Sequence, residues 1–106
     1  MATSRVDTFR AMVQSDPTNA LARYGLANEL VKAENYEEAV TALQEYLSMN
    51  DDEGAAYRLL AYANEKLKRY AGAREAYKKG IDAATRHHHP SMAAEYESKL
   101  EDLEDL

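Results

Sequence analysis

The sequence has no cysteine, no tryptophan, one phenylalanine, two prolines and four glycines among 106 residues. Without cysteine there is no disulfide, no thiolate nucleophile and no thiolate metal site. The same absence suits a reducing compartment, and a cytoplasmic location is expected. No run of about 18 apolar residues occurs, so no membrane-spanning helix is expected. The opening MATSRVDTFR lacks the apolar stretch of a secretory signal. Gly25, Gly54, Gly72 and Gly80 are scattered, so no glycine-rich phosphate loop exists. A nucleophile elbow and a histidine pair spaced i, i+4 are missing too. The chain is therefore expected not to be an enzyme, with no catalytic residue, no metal and no cofactor. Basic residues are the minority, 13 against 19 acidic, for a net charge of −6. That balance argues against nucleic acid, whose binding relies on neutralising phosphates.

What is present is a period. The stretch Tyr36–Asp52, YEEAVTALQEYLSMNDD, returns 34 residues later. Tyr36 recurs as Tyr70, Ala39 as Ala73 and Leu43 as Tyr77. Leu26-Ala27 recurs as Leu60-Ala61, and Lys32 as Lys66. Large and small apolar residues held at one interval mark a stacked repeat, in which no unit buries its own face alone.

Apolar residues within each stretch follow helical spacing. A first helix carries Val6, Phe9, Met12 and Val13, with Ser4 as its cap, and ends at Asp16-Pro17 because the residue before proline avoids helical geometry. A second runs to about Ala33, with Thr18 and Asn19 as cap candidates. Its internal Gly25 costs about 1 kcal/mol against alanine, which predicts close approach of a neighbouring helix. The third begins after Asn35, where Glu38 suggests a capping box, and ends at Asn50-Asp51-Asp52. The fourth holds Ala56, Leu60 and Ala63, and the fifth Tyr70, Ala73, Tyr77 and Ile81. Pro90 suits the first position of a sixth helix, whose stripe is Met92, Tyr96, Leu100 and Leu103.

Charge falls in blocks. Glu29 to Glu53 has eight acids and one base, Arg58 to Arg86 has eight bases and three acids, and Glu95 to Leu106 has six acids and one base. Solvated faces and inter-helix ion pairs account for such blocks; a basic middle also steers an acidic partner. His87, His88 and His89 are consecutive, so their side chains diverge and read as turn composition rather than as a metal site.

The pattern resembles the tetratricopeptide repeat, a 34-residue pair of helices. The resemblance rests on Leu26, Ala27, Tyr36, Ala39 and Leu43 and on their counterparts Leu60, Ala61, Tyr70, Ala73 and Tyr77. It departs at Tyr46 and Gly80, where the family usually has alanine, and at Asp51 and Thr85, where proline is usual. It implies an all-α fold, a short right-handed α-solenoid of antiparallel helix pairs with about six helices. The implied layout is one domain over 1–106: a half-repeat helix over 1–16, repeats over 20–53 and 54–87, and a capping helix over 90–106. It also implies a protein-interaction module whose concave groove holds a peptide or helical segment on Tyr24, Asn28, Lys32, Arg58, Tyr62 and Lys66. The partner would be a protein or peptide, acidic or mixed in charge, with no nucleic acid and no membrane. The alternative is a self-associating scaffold that stacks through its ends, as a monomer or weak homodimer, or as one part of a longer repeat protein.

Overall fold

The computed structural model describes residues 4–106, so the first three positions of the 1–16 stretch lie outside the described residues. Six helices and no strand occur among them: α1 (Arg5–Ser15), α2 (Ala20–Lys32), α3 (Tyr36–Met49), α4 (Ala55–Lys66), α5 (Tyr70–Arg86) and α6 (Pro90–Leu103). The chain divides into two compact units, Met1–Asn50 and Asp51–Leu106. No helix among the described residues is long and apolar enough to cross a membrane.

In the first unit α2 packs on both α1 and α3. Ser4 Oγ accepts the Asp7 N–H, and Asn19 Oδ1 accepts the Ala22 N–H, satisfying donors that a helix start leaves open. Asn35 departs from the capping box that its sequence suggests. It makes no side-chain cap bond, and its amide donates to Glu38 Oε1 at 3.2 Å. Glu38 is held by Arg10, so its carboxylate is turned towards α1. Ala22, Ala27, Leu30, Ala39 and Leu43 have no exposed surface. Burying Leu30 and Leu43 contributes about 1.5–3 kcal/mol each. The alanines at 27 and 39 let the α2 and α3 backbones come close. Gly25 does the same for α1: a Cβ there would collide with the Phe9 ring, with Cδ1 and Cζ both at 2.8 Å.

In the second unit α5 packs against both α4 and α6. Asp52 starts α4, its Oδ2 accepting the N–H groups of Gly54 at 2.8 Å and Ala56 at 2.9 Å. Gly54 has φ +133°, a conformation open to glycine. Ala61 and Ala73, the counterparts of Ala27 and Ala39, are again fully buried.

The period breaks after α5. The position 34 residues beyond the end of α3 is Ala83, yet α5 continues three residues further, to Arg86. Leading into α6 is then a tight turn of the same kind that joins α2 to α3 and α4 to α5. Its middle residue, His88, has φ +63°, as Glu34 and Lys68 have φ +60°. The next N–H reaches back to the helix in each case: Asn35 to the Leu30 carbonyl, Arg69 to Asn64 and His89 to Ala84. The shifted register brings Tyr96 inward. It is fully buried, its hydroxyl donates to the Gly54 carbonyl at 2.7 Å, and its ring lies against Gly80.

Candidate functional site

The candidate residues form one stripe on each of two helices. On α2, Leu21, Tyr24, Asn28 and Lys32 follow one another at intervals of three or four and so share a face. Leu21 is 84% exposed, which for a leucine leaves an apolar side chain almost wholly in water. Tyr24 is half-buried and meets the Tyr46 ring edge-on, with centroids 5.4 Å apart. Tyr46 thus fills space inside the first unit where the family has a small residue. Asn28 is partly exposed. Lys32 extends into solvent, with its ammonium 3.5 Å from Glu29 Oε1. Glu29 is itself buried and accepts from Arg5 Nε at 2.9 Å. The Arg5 guanidinium holds the Glu29 carboxyl below its ordinary range against the opposing cost of burial.

On α4 the stripe is Arg58, Tyr62 and Lys66, one turn apart. Tyr62 is 43% exposed, and the Lys66 ammonium stands 5.7 Å from its ring centroid, a cation–π pair in water. Arg58 is engaged. Its Nε and Nη2 donate to the two oxygens of Glu95 at 2.8 and 2.9 Å, and its guanidinium carbon lies 5.4 Å from the Tyr96 ring centroid. This fork holds the Glu95 carboxyl below its usual range. Burial raises the phenol of Tyr96 to about 12, and raises Tyr77 as well; the Tyr77 hydroxyl donates to Glu65 at 2.9 Å.

Glu95 is the residue that sequence reasoning missed; Tyr96 was expected on the sixth-helix stripe, but not its place beside Arg58. They stand 37 and 38 positions beyond Arg58, past the point where the period breaks, so no repeat position paired them with it. The histidines lie at the α5–α6 turn. His87 Nε2 is 3.1 Å from Asp51 Oδ2, and His89 Nε2 is 3.3 Å from Glu53 Oε2. No group of three His, Cys, Asp or Glu side chains that could hold a metal ion is present among the described residues. Beside His88 a hollow of about 530 Å³ opens between Thr85, Ala93, Ala94 and Glu97.

Successive packed helices, small residues where they meet and a recurring left-handed turn define a helical repeat protein. The tetratricopeptide repeat family model matches residues 24–88, more than half of the chain. The chain belongs to the tetratricopeptide repeat family, a non-enzymatic repeat scaffold whose members are generally protein–protein interaction modules. It is 29% identical over 82 residues to the TPR repeat-containing protein PA0015 of Pseudomonas aeruginosa, covering 77% of this chain and 78% of that one. It shares its fold with the solution structure of protein BPP2914 from Bordetella parapertussis, at a TM-score of 0.80 and 22% identity, over 96% of this chain and 89% of the other.

Proposed function

We propose that the protein captures helical or extended segments of other proteins on two surfaces, the α2 stripe of Tyr24, Asn28 and Lys32 in the first unit and the α4 stripe of Arg58, Tyr62 and Lys66 in the second. The observation that carries this reading is Tyr62, a large ring left 43% exposed beside a cation. Tyrosine and arginine concentrate binding energy because they join a broad apolar area to a polar end. Lys32, Arg58 and Lys66 favour a partner with acidic side chains. A partner carboxylate that reaches Arg58 does so in exchange for Glu95. The chain acts in the cytoplasm on this reading, without nucleic acid or membrane as partner and without chemistry of its own.

The test is co-purification from the source cell with four chains side by side: wild type, Tyr62→Ala, Arg58→Ala and the remote control Glu101→Ala. The expected outcome is capture by wild type and the control, and loss with both stripe variants at unchanged melting temperature. Equal capture by all four chains refutes the assignment. So does a loss that tracks unfolding.

A second reading, a self-associating scaffold, draws on α1, where Met12 is 42% exposed. Light scattering across protein and salt concentration tests it, and a monomer throughout rejects it.

A further inference from the structure

None of the residues of α1 is buried, whereas each of the other five helices has buried residues. Val6 and Val13 are half-buried, and the specific contacts that fix the place of α1 are one ring and two ion pairs. Phe9 sits in the notch left by the missing side chain of Gly25. Arg5 Nε reaches the buried carboxylate of Glu29 at 2.9 Å, and Arg10 Nη2 reaches both oxygens of Glu38 at 2.8 Å. The register is antiparallel: four residues from Arg5 to Phe9 on α1 match four from Glu29 back to Gly25 on α2. Beneath α1 there is thus a defined receptor, an aromatic-sized notch flanked by two carboxylates. It lies in the block from Glu29 to Glu53 or just before it, where eight acids meet one base.

We infer that this receptor is an exchangeable helix site, and that its second occupant is the α1 of another copy of the chain. Charge order supports that choice, because the arginines on either side of an aromatic ring match the two carboxylates about the notch, and every copy carries both halves. The connection supports it as well. Only Asp16 to Asn19 separate α1 from α2. Asp16 is already extended, at φ −142° and ψ 91°. The turn is closed by the Asp16 carboxylate, which accepts from the Thr18 N–H and hydroxyl, and by the Asn19 N–H on the Asp16 carbonyl. Opening those bonds frees a proline-containing hinge. An 11-residue helix is marginal in water by itself, so α1 released from its own chain is driven to dock on a neighbour. Exchange of one element between identical chains recreates the contacts of that element outside the opened hinge and is a low-cost route to a dimer. The exchange concerns α1 alone and stands independently of the partner stripes on α2 and α4.

A complementary pair of full-length variants tests it. Phe9→Ala removes the ring and leaves the notch empty; Gly25→Leu fills the notch and clashes with the ring. Each is mismatched within its own chain. In an exchanged heterodimer both sites match. The ringless helix of the Phe9→Ala chain lies on the filled notch of the Gly25→Leu chain, and the intact ring of the latter enters the open notch of the former. The expected result by native mass spectrometry and light scattering is a 1:1 heterodimer on mixing, absent from either variant alone. A chain with both substitutions is matched within itself and stays monomeric. If Gly25→Leu does not fold, Arg10→Glu mixed with Glu38→Arg applies the same logic through charge. A mixture that remains monomeric overturns the inference. So does a dimer that forms equally in one variant alone or in the double variant, because the contact would then not be α1.

Discussion

Replacing Gly80 by alanine sets two physical effects against each other. Alanine is usual at this place in the family, and Gly→Ala inside a helix gains about 1 kcal/mol in propensity. Sequence reasoning alone therefore forecasts a more stable protein. The packing forecasts the reverse. A Cβ on Gly80 would stand 2.7 Å from Tyr96 Cε2, 2.8 Å from Cδ2 and 3.0 Å from Tyr57 Cβ. Ordinary contact begins near 3.4 Å, so 3.4 − 2.7, about 0.7 Å, must be found. Tyr96 has little freedom to give it. The ring is fully buried, its hydroxyl is tied to the Gly54 carbonyl at 2.7 Å, and the Tyr77 ring lies 5.6 Å away between centroids. Overpacking of a tight core costs about 1–3 kcal/mol. Clashes with two ring atoms and with Tyr57 place this case at the upper end, for a net loss of about 1–2 kcal/mol. At about 4–8 °C per kcal/mol for a domain of this size, Gly80→Ala melts roughly 5–15 °C below wild type. Circular dichroism at the helical band measures it. A control separates the two effects: in a Tyr96→Leu background the ring is gone, and Gly80→Ala then stabilises by up to about 1 kcal/mol. A single variant that melts at or above wild type refutes the reasoning.

Two further outcomes follow from packing and charge. Ala61 has no exposed surface where α4 meets its neighbour; Ala61→Phe costs at least about 3 kcal/mol, beyond the usual range for overpacking, and an unchanged urea midpoint would contradict the close approach. Glu29 has its carboxyl pKa lowered from 4.5 by Arg5. The stabilisation from that pair is therefore present above pH 4.5 and is lost as pH falls through the lower folded-state value. Wild type should hold its melting temperature from pH 7 to about 5.5 and lose it below 4.5. Glu29→Gln should melt lower at about pH 7, and the gap should close as pH falls through the lowered folded-state value; a constant gap between the two curves would show that the pair does not titrate in this way.

Much of the fold was legible because its causes are local or periodic. Ala27 and Ala61 read as meeting points because a small residue recurred at one interval, and both are fully buried. Ser4, Asn19 and Pro90 take up their expected places at helix starts, since the demand of a helix terminus is met within a few residues. Gly25 marked a close approach because a mid-helix glycine needs a reason, and the Phe9 ring is that reason.

What the amino-acid order determined by itself was the repeat and the helix count, because a helical periodicity of about 3.6 residues inside a period of 34 leaves few other arrangements. Tertiary structure alone decided the rest. It carried α5 three residues past the counterpart of the end of α3, seated Tyr96 on Gly80 and closed Glu95 onto Arg58, the residue that the sequence had offered as open to a partner. It also turned Glu38 from the cap of α3 to Arg10. Each of these is a choice among several side chains of suitable chemistry, and the choice rests on which two come within about 3 Å when residues dozens of positions apart are packed together.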